Sequence, residues 1–201
     1  MLKNQYLSTF SLIITIIVMS AMVYLTVKSY VFVDSHHIDI QGSTYVHQVS
    51  TKPYVLQQAL QITKICKTDA CKIQKMLNFA TSIPYKINPS ISRSPKNTVK
   101  NAYGDCDDKS NLLISMLNSM GYEAYFVLVP GHIFTIVALD DKRYMNFKGI
   151  YLNGKKYYIL ESTAKMSPIG YPLKYDLDLI KAIVNPFTNK KIKINQLEWK
   201  R

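Results

Sequence analysis

The chain has 201 residues, and 48% of them are hydrophobic, which allows one domain with a core plus an additional segment. Its formal net charge of +12 suggests nucleic acid, but the lysines are scattered, and no helix-turn-helix, zinc-finger or basic-aromatic stripe appears in the sequence. We therefore expect no nucleic-acid partner. The charge is compatible with attraction to an anionic membrane or envelope polymer.

An apolar segment near the N-terminus predicts a membrane helix. Residues 4–27 carry no charge, and the stretch FSLIITIIVMSAMVYLTV shows no polar side. A bilayer core of about 30 Å requires about 20 such residues in a helix. A cleavable signal peptide is the alternative, but its apolar region is normally about 7–15 residues long and ends at a small-x-small site. We expect an uncleaved anchor at residues 1–28.

The charges that flank this segment predict its orientation. Lys3 and the amino terminus lie on one side, and Lys28 with Asp34 on the other. The positive-inside rule then favours a cytoplasmic N-terminus. The expected localisation is the inner or cytoplasmic membrane, spanned once, with the C-terminal domain on the periplasmic or extracellular side.

Residues 29–52 contain few helix signals and predict a linker. Within it, His36, His37 and His47, together with Asp34, raise the question of zinc. A structural zinc site needs about four ligands in a recognisable spacing, and this segment lacks that spacing. We expect no metal here.

Residues 53–201 predict an α+β domain in which helices precede an antiparallel sheet. Pro53 opens an apolar helical pattern, a second helix follows the segment CKTDAC, and a third begins near GDC. The stretches YEAYFVLV and HIFTIVAL predict two strands. The stretch IYLNGKKYYIL predicts a hairpin around Asn153 and Gly154, a dipeptide favoured in type I′ turns.

Two cysteines lie five positions apart in CKTDAC. In one continuous helix Cys66 and Cys71 would lie about 140° apart and could not bond. A break at residues 67–68 would let them close a tight loop. In an exported domain we expect this disulfide, with two small buried residues as the alternative.

The stretch YGDCDDKSNLL places Cys106 at the start of the third helix. A nucleophilic thiol requires a lowered pKa, which a helix N-terminus and a nearby imidazole both favour. His132, at a strand start after VPG, is the candidate imidazole. Glu161, at the end of the apolar strand YYIL, is the candidate acceptor that fixes the tautomer of the histidine.

Three aspartates surround the cysteine and would raise its pKa. For Asp105, Asp107 and Asp108 we expect instead a role in the first helical turn, as caps and complements of the helix dipole, with Lys109 as a possible partner. Calcium is the rival, but the EF-hand pattern is missing. We expect neither a metal nor a cofactor.

These motifs together resemble the transglutaminase-like superfamily, and more narrowly its prokaryotic cysteine-proteinase-like branch. The resemblance rests on GDCDDKSNLLISMLNSMGYEA, VPGHIF and YYILESTAKMSPIG, and it covers residues 53–171. It implies a papain-like core with a Cys-His-Asp/Glu triad, in which Cys106 and His132 match the motif positions. Glu161 stands where much of the superfamily has Asp. An aromatic residue that stacks on the histidine is expected at Phe134.

The oxyanion donor has two candidates, the backbone N–H of Cys106 and the hydroxyl of Tyr103. Two functions follow. The first is a membrane-anchored thiol hydrolase or transamidase that acts on a peptide or protein of the cell envelope through a thioester. The second is a non-catalytic module that keeps the fold as a binding or assembly part of an envelope complex. An intact triad favours the first.

Overall fold

The structure, a computed structural model, describes residues 2–40, 43–88 and 91–201. Its contacts divide the chain into two compact units, of which the first ends at His37 and the second is Ile38–Arg201. The second unit contains every candidate catalytic residue, so the site is built within one compact unit.

The first unit is a single long helix, α1, which spans Leu2–His36. Its segment Ser8–Val33 is long and apolar enough to cross a membrane, by length and composition. A signal sequence near an N-terminus passes the same test. The side chains of Lys3 and Asp34, on which the predicted orientation and the zinc alternative partly depend, lie outside the described residues.

Four helices of the second unit precede its main sheet, one more than the three that the sequence predicts; the short helix Pro95–Asn101 is the additional one. They are α2 (Pro53–Thr63), α3 (Asp69–Ser82), α4 (Pro95–Asn101) and α5 (Cys106–Ser119). Proline opens α2 and α4, where its missing N–H costs no hydrogen bond. Short 3₁₀ helices lie at Lys142–Tyr144 and Leu177–Leu179.

Two β-sheets are present in the described part of the chain. A small one pairs β1 (His37–Ile40) with β2 (Ser43–Val46). The main sheet has the order β8-β7-β3-β4-β6-β5-β9, and every pairing between its strands is antiparallel. Its strands are β3 (Ala124–Val129), β4 (His132–Val137), β5 (Gly149–Leu152), β6 (Lys155–Leu160), β7 (Ala182–Asn185), β8 (Lys190–Lys191) and β9 (Leu197–Lys200).

Two tight turns fix the register of the strands that carry the site. Asn153 and Gly154 both have positive φ and join β5 to β6, as the type I′ signal predicts. Gly131, also at positive φ, lies in the turn that places Val129 opposite His132. The α+β class expected from the sequence is therefore confirmed.

The core lies between α5 and the sheet. The apolar face of α5 is fully buried, and helices α2 and α3 pack against it. The buried face of α5 consists of Leu112, Leu113, Ile114, Met116 and Leu117. Because this helix is buried on one side by helices and on the other by β3 and β4, its first residue is held at a fixed position relative to the start of β4.

Part of the segment predicted as a linker is integrated into the second unit. Ile38 and Ile40 are buried in the core, and the backbone N–H groups of Gln48 and Ser50 donate to side chains of α5. These contacts join residues that lie more than 60 positions apart in the sequence. A polar stretch without helical periodicity gives no local signal for them.

Cys66 and Cys71 are joined by a disulfide with a Cα–Cα distance of 5.5 Å. Helix α2 ends at Thr63, and α3 begins at Asp69 with Thr68 accepting from the backbone N–H of Cys71. The helical break near residues 67–68 is thus present, and it allows the two sulfur atoms to meet.

Candidate active site

Cys106 is the first residue of α5. Asp105 caps the helix, and its Oδ1 atom accepts from the backbone N–H of Asp108 at 3.1 Å. The thiol is partly buried, and the backbone N–H groups of Asp107 and Ile133 both favour its ionised form. The contact with Ile133 places the sulfur beside the start of β4, next to His132.

His132 and Glu161 form a hydrogen-bonded pair. His132 is the first residue of β4, and Glu161 follows the end of β6, which pairs with β4. The distance from His132 Nε2 to Glu161 Oε2 is 2.9 Å, and the side chains are 17% and 10% exposed. Adjacent antiparallel strands therefore bring together two residues that lie far apart in sequence.

The other carboxylate oxygen of Glu161 is held by Thr163. Its Oε1 atom accepts from the backbone N–H of Thr163 at 2.9 Å and from the Thr163 hydroxyl at 2.6 Å. Burial acts to raise the pKa of Glu161, but the hydrogen bonds from His132 and Thr163 outweigh it, and the pKa lies below its ordinary value. The carboxylate is therefore ionised near neutral pH, and His132 Nε2 carries the donated proton.

The pKa of Cys106 differs from the expectation. Burial, followed by the charges of Asp107 and Asp105, raises the pKa to about 12, and the two backbone N–H groups lower it only in part. Position at a helix N-terminus predicted the opposite direction. The difference arises because a half-charge dipole competes here with desolvation and two full charges at short range.

Two of the three aspartates hold the proline-containing segment before α4. The Oδ2 atom of Asp105 accepts from the backbone N–H of Asn88 at 3.0 Å. Fully buried Asp108 accepts from both the backbone N–H and the guanidinium of Arg93, the latter at 2.9 Å. Arg93 was not recognised from the sequence as a partner, since no local pattern links SISRSP to GDCDD.

The third aspartate, Asp107, is directed differently. The hydrogen bond found for its carboxylate joins Oδ1 to the Cys106 sulfur at 3.9 Å. Burial and the charges of Asp105 and Asp108 raise the pKa of Asp107 to about 6, and His132 acts in the opposite direction. Only Asp105 acts as the predicted side-chain cap, because the Asp107 carboxylate faces the thiol.

Lys109 does not pair with the aspartates. Its side chain is buried, and Nζ donates to the carbonyl oxygen of Ile83 at 2.9 Å. Burial lowers the pKa of Lys109, while the charge of Glu161 acts to raise it. Lys109 thereby joins α5 to the segment that carries Tyr85, beneath the site.

Tyr103 has a partner other than the thiol. Its hydroxyl accepts from the Arg93 guanidinium at 3.3 Å, and its ring lies between Arg93 and Lys86. Two other tyrosines, Tyr45 and Tyr85, are influenced by the thiol. The pKa of each is raised, mainly by burial and in part by the charge of Cys106.

Tyr45 and Tyr85 come from segments without a functional signal in the sequence. Tyr85 is held beside Gly104 by a parallel bridge just before the capping residue of α5. Tyr45, on β2, has a buried hydroxyl oxygen for which the structure gives no hydrogen-bond partner. Both tyrosines reach the site through long-range packing.

Tyr175, which the sequence analysis did not single out, stacks on the histidine. The rings of His132 and Tyr175 are 6.0 Å apart at 21°, whereas Phe134 is 6.5 Å from His132 at 31°. Tyr175 also stacks on Phe134. Tyr175 lies in an irregular segment, so periodicity gave no indication of it.

A pocket of about 190 Å³ opens over His132 and Glu161. Residues 171–175 form one wall, and exposed Lys174 lies beside the ring of Tyr171. Its lining combines aromatic and polar groups, namely His132, Phe134, Ile159, Glu161, Thr163, Ala164, Tyr171, Pro172, Leu173, Lys174 and Tyr175. Cys106 does not line this pocket, which therefore lies on the histidine side of the thiol.

Comparison with known families agrees with this architecture. The family model described as the transglutaminase-like superfamily matches residues 57–157, which is half of the chain. The chain therefore belongs to the transglutaminase-like superfamily. A comparison with curated proteins finds no match.

Among solved structures, the chain is similar to a "putative cysteine protease" from Cytophaga hutchinsonii, with 17% identity, a TM-score of 0.42, and coverage of 55% of this chain and 37% of that one. It is also similar to a "putative protease" from Parabacteroides distasonis, with 16% identity, a TM-score of 0.45, and coverage of 70% of this chain and 27% of that one. The aligned part spans about a third of the length of these proteins.

Proposed function

We propose that this protein is a membrane-anchored thiol hydrolase or transamidase that acts on a peptide or protein carbonyl through Cys106, His132 and Glu161. The observation that supports this most is the 2.9 Å contact between His132 Nε2 and a Glu161 carboxylate that Thr163 also holds. An ionised acceptor on Nε2 leaves Nδ1 as the nitrogen that can take a proton.

The proposed mechanism begins from a neutral thiol. His132 Nδ1 accepts the proton as the Cys106 sulfur bonds to the substrate carbonyl carbon, and the imidazolium is stabilised by Glu161. The same proton then passes to the leaving amine as the C–N bond breaks, which leaves a thioester on Cys106. Water, with His132 as base, releases the acid. An amine in place of water gives transamidation.

The oxyanion formed during attack needs donors near the sulfur. The backbone N–H of Cys106, at the start of α5, is the main-chain candidate. Tyr103 remains a candidate side chain, although its hydroxyl lies against Arg93. Tyr85, fixed beside Gly104, is a second one.

A non-catalytic role is the second candidate function, and a specific observation favours it. The pKa of about 12 for Cys106 leaves almost no thiolate at neutral pH. A domain of this kind would use the pocket beside His132 to bind an envelope partner, and the triad would act only as structural hydrogen bonds.

A peptide-turnover experiment separates the two functions. The full chain in detergent would be incubated with a proteome-derived peptide mixture and free cadaverine, and the products read by mass spectrometry. New peptide termini would show hydrolysis, and cadaverine adducts would show transamidation. Cys106→Ala should abolish both. Glu161→Gln should reduce the rate by about 10²–10⁴-fold, since it removes the orienting charge.

The pair formed by exposed Lys200 and half-buried Glu198 provides a control for this panel. Glu198 lies on β9, whereas the thiol lies on α5. Glu198→Gln removes a carboxylate outside the proposed triad and should leave turnover unchanged. Products formed equally by wild type and Cys106→Ala would contradict the catalytic proposal and favour the binding module.

The proposed location is the cytoplasmic membrane, with α1 as a single span and the domain on the periplasmic or extracellular side. The length and composition of Ser8–Val33 support this proposal. The disulfide between Cys66 and Cys71 also supports it, since such bonds persist mainly in oxidising compartments.

A further inference from the structure

Asp107 stands apart from the other carboxylates near the thiol. Asp105 caps α5 and holds Asn88, and Asp108 is neutralised by Arg93. The described contacts of the Asp107 carboxylate give it no lysine or arginine partner; its hydrogen bond is to the Cys106 thiol. Asp107 is thus a partly buried carboxylate for which the described contacts give no structural role.

A role restricted to the helix dipole does not account for this placement. A carboxylate that serves only the dipole can remain in water at the helix surface, where solvation stabilises its charge. Asp107 instead gives up solvation beside a nucleophile. Partly buried charges are normally paired, and an unpaired one carries a cost in stability.

A second observation comes from Tyr45. The hydroxyl oxygen of Tyr45 is buried and has no partner in the described structure. The largest electrostatic influence on this hydroxyl is Asp107, followed by Cys106. The carboxylate of Asp107 has no cationic partner among the described contacts, and the buried Tyr45 oxygen, which the charge of Asp107 influences, has an unused acceptor lone pair.

These two groups suit a cation. A primary ammonium carries three donors and a positive charge, so it could satisfy the carboxylate of Asp107 and the oxygen of Tyr45 together. The opposite side of His132 carries Lys174, whose charge disfavours a cation in the pocket there. The site therefore differs in charge on the two sides of the reacting atoms.

We propose that Asp107 is the charge-selecting residue of the site and receives a primary ammonium group of the substrate beside Cys106. This inference rests on the proposed function, because it names the class of substrate that the proposed active site would accept. A bound ammonium would also neutralise the carboxylate that opposes ionisation of the thiol, so that the correct substrate would activate its own nucleophile.

The test uses two thiol reagents that differ in charge and share their reacting group. They are 2-aminoethyl methanethiosulfonate, a cation, and 2-sulfonatoethyl methanethiosulfonate, an anion. In each case a disulfide forms between the Cys106 sulfur and the reagent, the thiol loses its proton and methanesulfinate leaves. The rate constants would be measured on the full chain in non-ionic detergent by mass spectrometry.

The ratio of the cation rate to the anion rate is the readout, because changes in the pKa of Cys106 affect both reagents alike and cancel. For wild type the ratio should exceed that of free cysteine. Asp107→Asn should lower it by about tenfold, the order expected from removing one charge at short range in a partly screened site. Asp140→Asn, at an exposed position, should leave it within about twofold.

The outcomes are distinct from those for the proposed function. An unchanged ratio in Asp107→Asn, or a wild-type ratio no higher than that of free cysteine, would overturn the charge-selecting role whether or not peptides are turned over. A ratio that falls on substitution supports the role even in a chain that turns over no peptide, in which case the site selects a cationic binding partner.

Discussion

His132 Nε2 lies 2.9 Å from Glu161 Oε2, across the edge where β4 begins and β6 ends. The longer side chain of Glu, compared with Asp, reaches the imidazole from the residue directly after the strand. Thr163 then holds the second oxygen, so the carboxylate plane is fixed by three hydrogen bonds. This arrangement orients the imidazole before any substrate arrives.

The depressed pKa of Glu161 predicts a loss of stability in acid. A carboxyl group whose pKa is lower in the folded chain than its ordinary 4.5 stabilises the fold above that value and ceases to do so as the pH falls through the folded pKa. Glu161→Gln should therefore flatten the acid limb of the stability curve below about pH 4.5. Urea unfolding followed by the fluorescence of Trp199, the single tryptophan, measures this.

Thr163→Val provides the intermediate case for the same measurement. It removes the hydroxyl bond to Oε1 and retains the backbone one, so its acid limb should lie between those of wild type and Glu161→Gln. Identical acid limbs for all three proteins would show that Glu161 is not stabilised by these bonds.

The buried pair formed by Arg93 and Asp108 predicts a large effect on stability. Asp108 is fully buried, so Arg93→Met would leave its charge without a cationic partner, although the backbone N–H of residue 93 remains, and should cost about 3 kcal/mol of unfolding free energy. The matched control is Arg143→Met, which breaks the pair with Asp141 in which the arginine side chain is 62% exposed. It should have little effect on the free energy of unfolding, because solvent and salt screen an exposed pair.

A double variant identifies the cause. Arg93→Met with Asp108→Asn removes both charges and should recover part of the loss, as expected if the uncompensated carboxylate was responsible. Equal losses at Arg93 and Arg143 in denaturant unfolding would contradict the assignment of Arg93 as the anchor of the segment before α4.

The elements that carry the proposed triad could be predicted from local patterns. The apolar face of α5, the cap at Asp105 and the turn at Asn153 each follow from residues within a few positions of one another. The pairing of Arg93 with Asp108 and the approach of Tyr45 and Tyr175 could not, because these contacts depend on how distant segments fold together. The resemblance to a family indicated the candidate triad residues but carries no information on these neighbours.

The pKa of the thiol shows the same limit in energetic terms. The helix N-terminus is visible in the sequence and argues for a lowered pKa of Cys106. Burial of the sulfur is not visible there, and neither is the direction of the Asp107 carboxylate. Both act to raise the pKa, and they are properties of the packed structure.

The short segment between α2 and α3 yields a prediction about oxidation state. Cys66 and Cys71 should be bridged in the purified chain while Cys106 remains a free thiol. Replacing both bridged cysteines by serine should cost about 2 kcal/mol, because the closed loop is short. Non-reducing peptide mapping provides the measurement, and two titratable thiols at these positions under oxidising conditions would contradict both the bridge and the exported location.

The orientation of α1 predicts the side on which the domain lies. Protease added to intact spheroplasts should degrade the second unit, since the proposed topology exposes it on the outer face. A mature N-terminus after α1 would identify a cleaved signal sequence instead of an anchor. Full protection of the domain in spheroplasts, with degradation only after lysis, would reverse the proposed orientation.

The raised pKa of Asp107 predicts that the site reduces stability at neutral pH. A carboxyl group whose pKa rises from 3.8 to about 6 on folding leaves stability unaffected below pH 3.8. Between pH 3.8 and about 6 the unfolded chain ionises while the folded chain stays protonated, so stability falls across this range and is level above it. Asp107→Asn should therefore be more stable than wild type by about 3 kcal/mol at pH 7, and nearly equal to it at pH 3.5. The same urea titrations provide the measurement.

Alkylation of Cys106 by iodoacetamide tests the electrostatics of the thiol directly. With a pKa of about 12, the wild-type thiol should react more slowly than a free cysteine at pH 8, and its rate should still rise above pH 10. Of the two carboxylates that oppose ionisation of the thiol, Asp107 has the larger effect. Asp107→Asn should therefore raise the alkylation rate at pH 8, by about tenfold for each unit by which the pKa of Cys106 falls.

His132→Ala serves as the discriminating variant. If wild-type Cys106 reacts faster than free cysteine at neutral pH and His132→Ala abolishes that advantage, the resting site holds a thiolate–imidazolium pair, and the neutral-thiol starting state proposed for the mechanism is wrong.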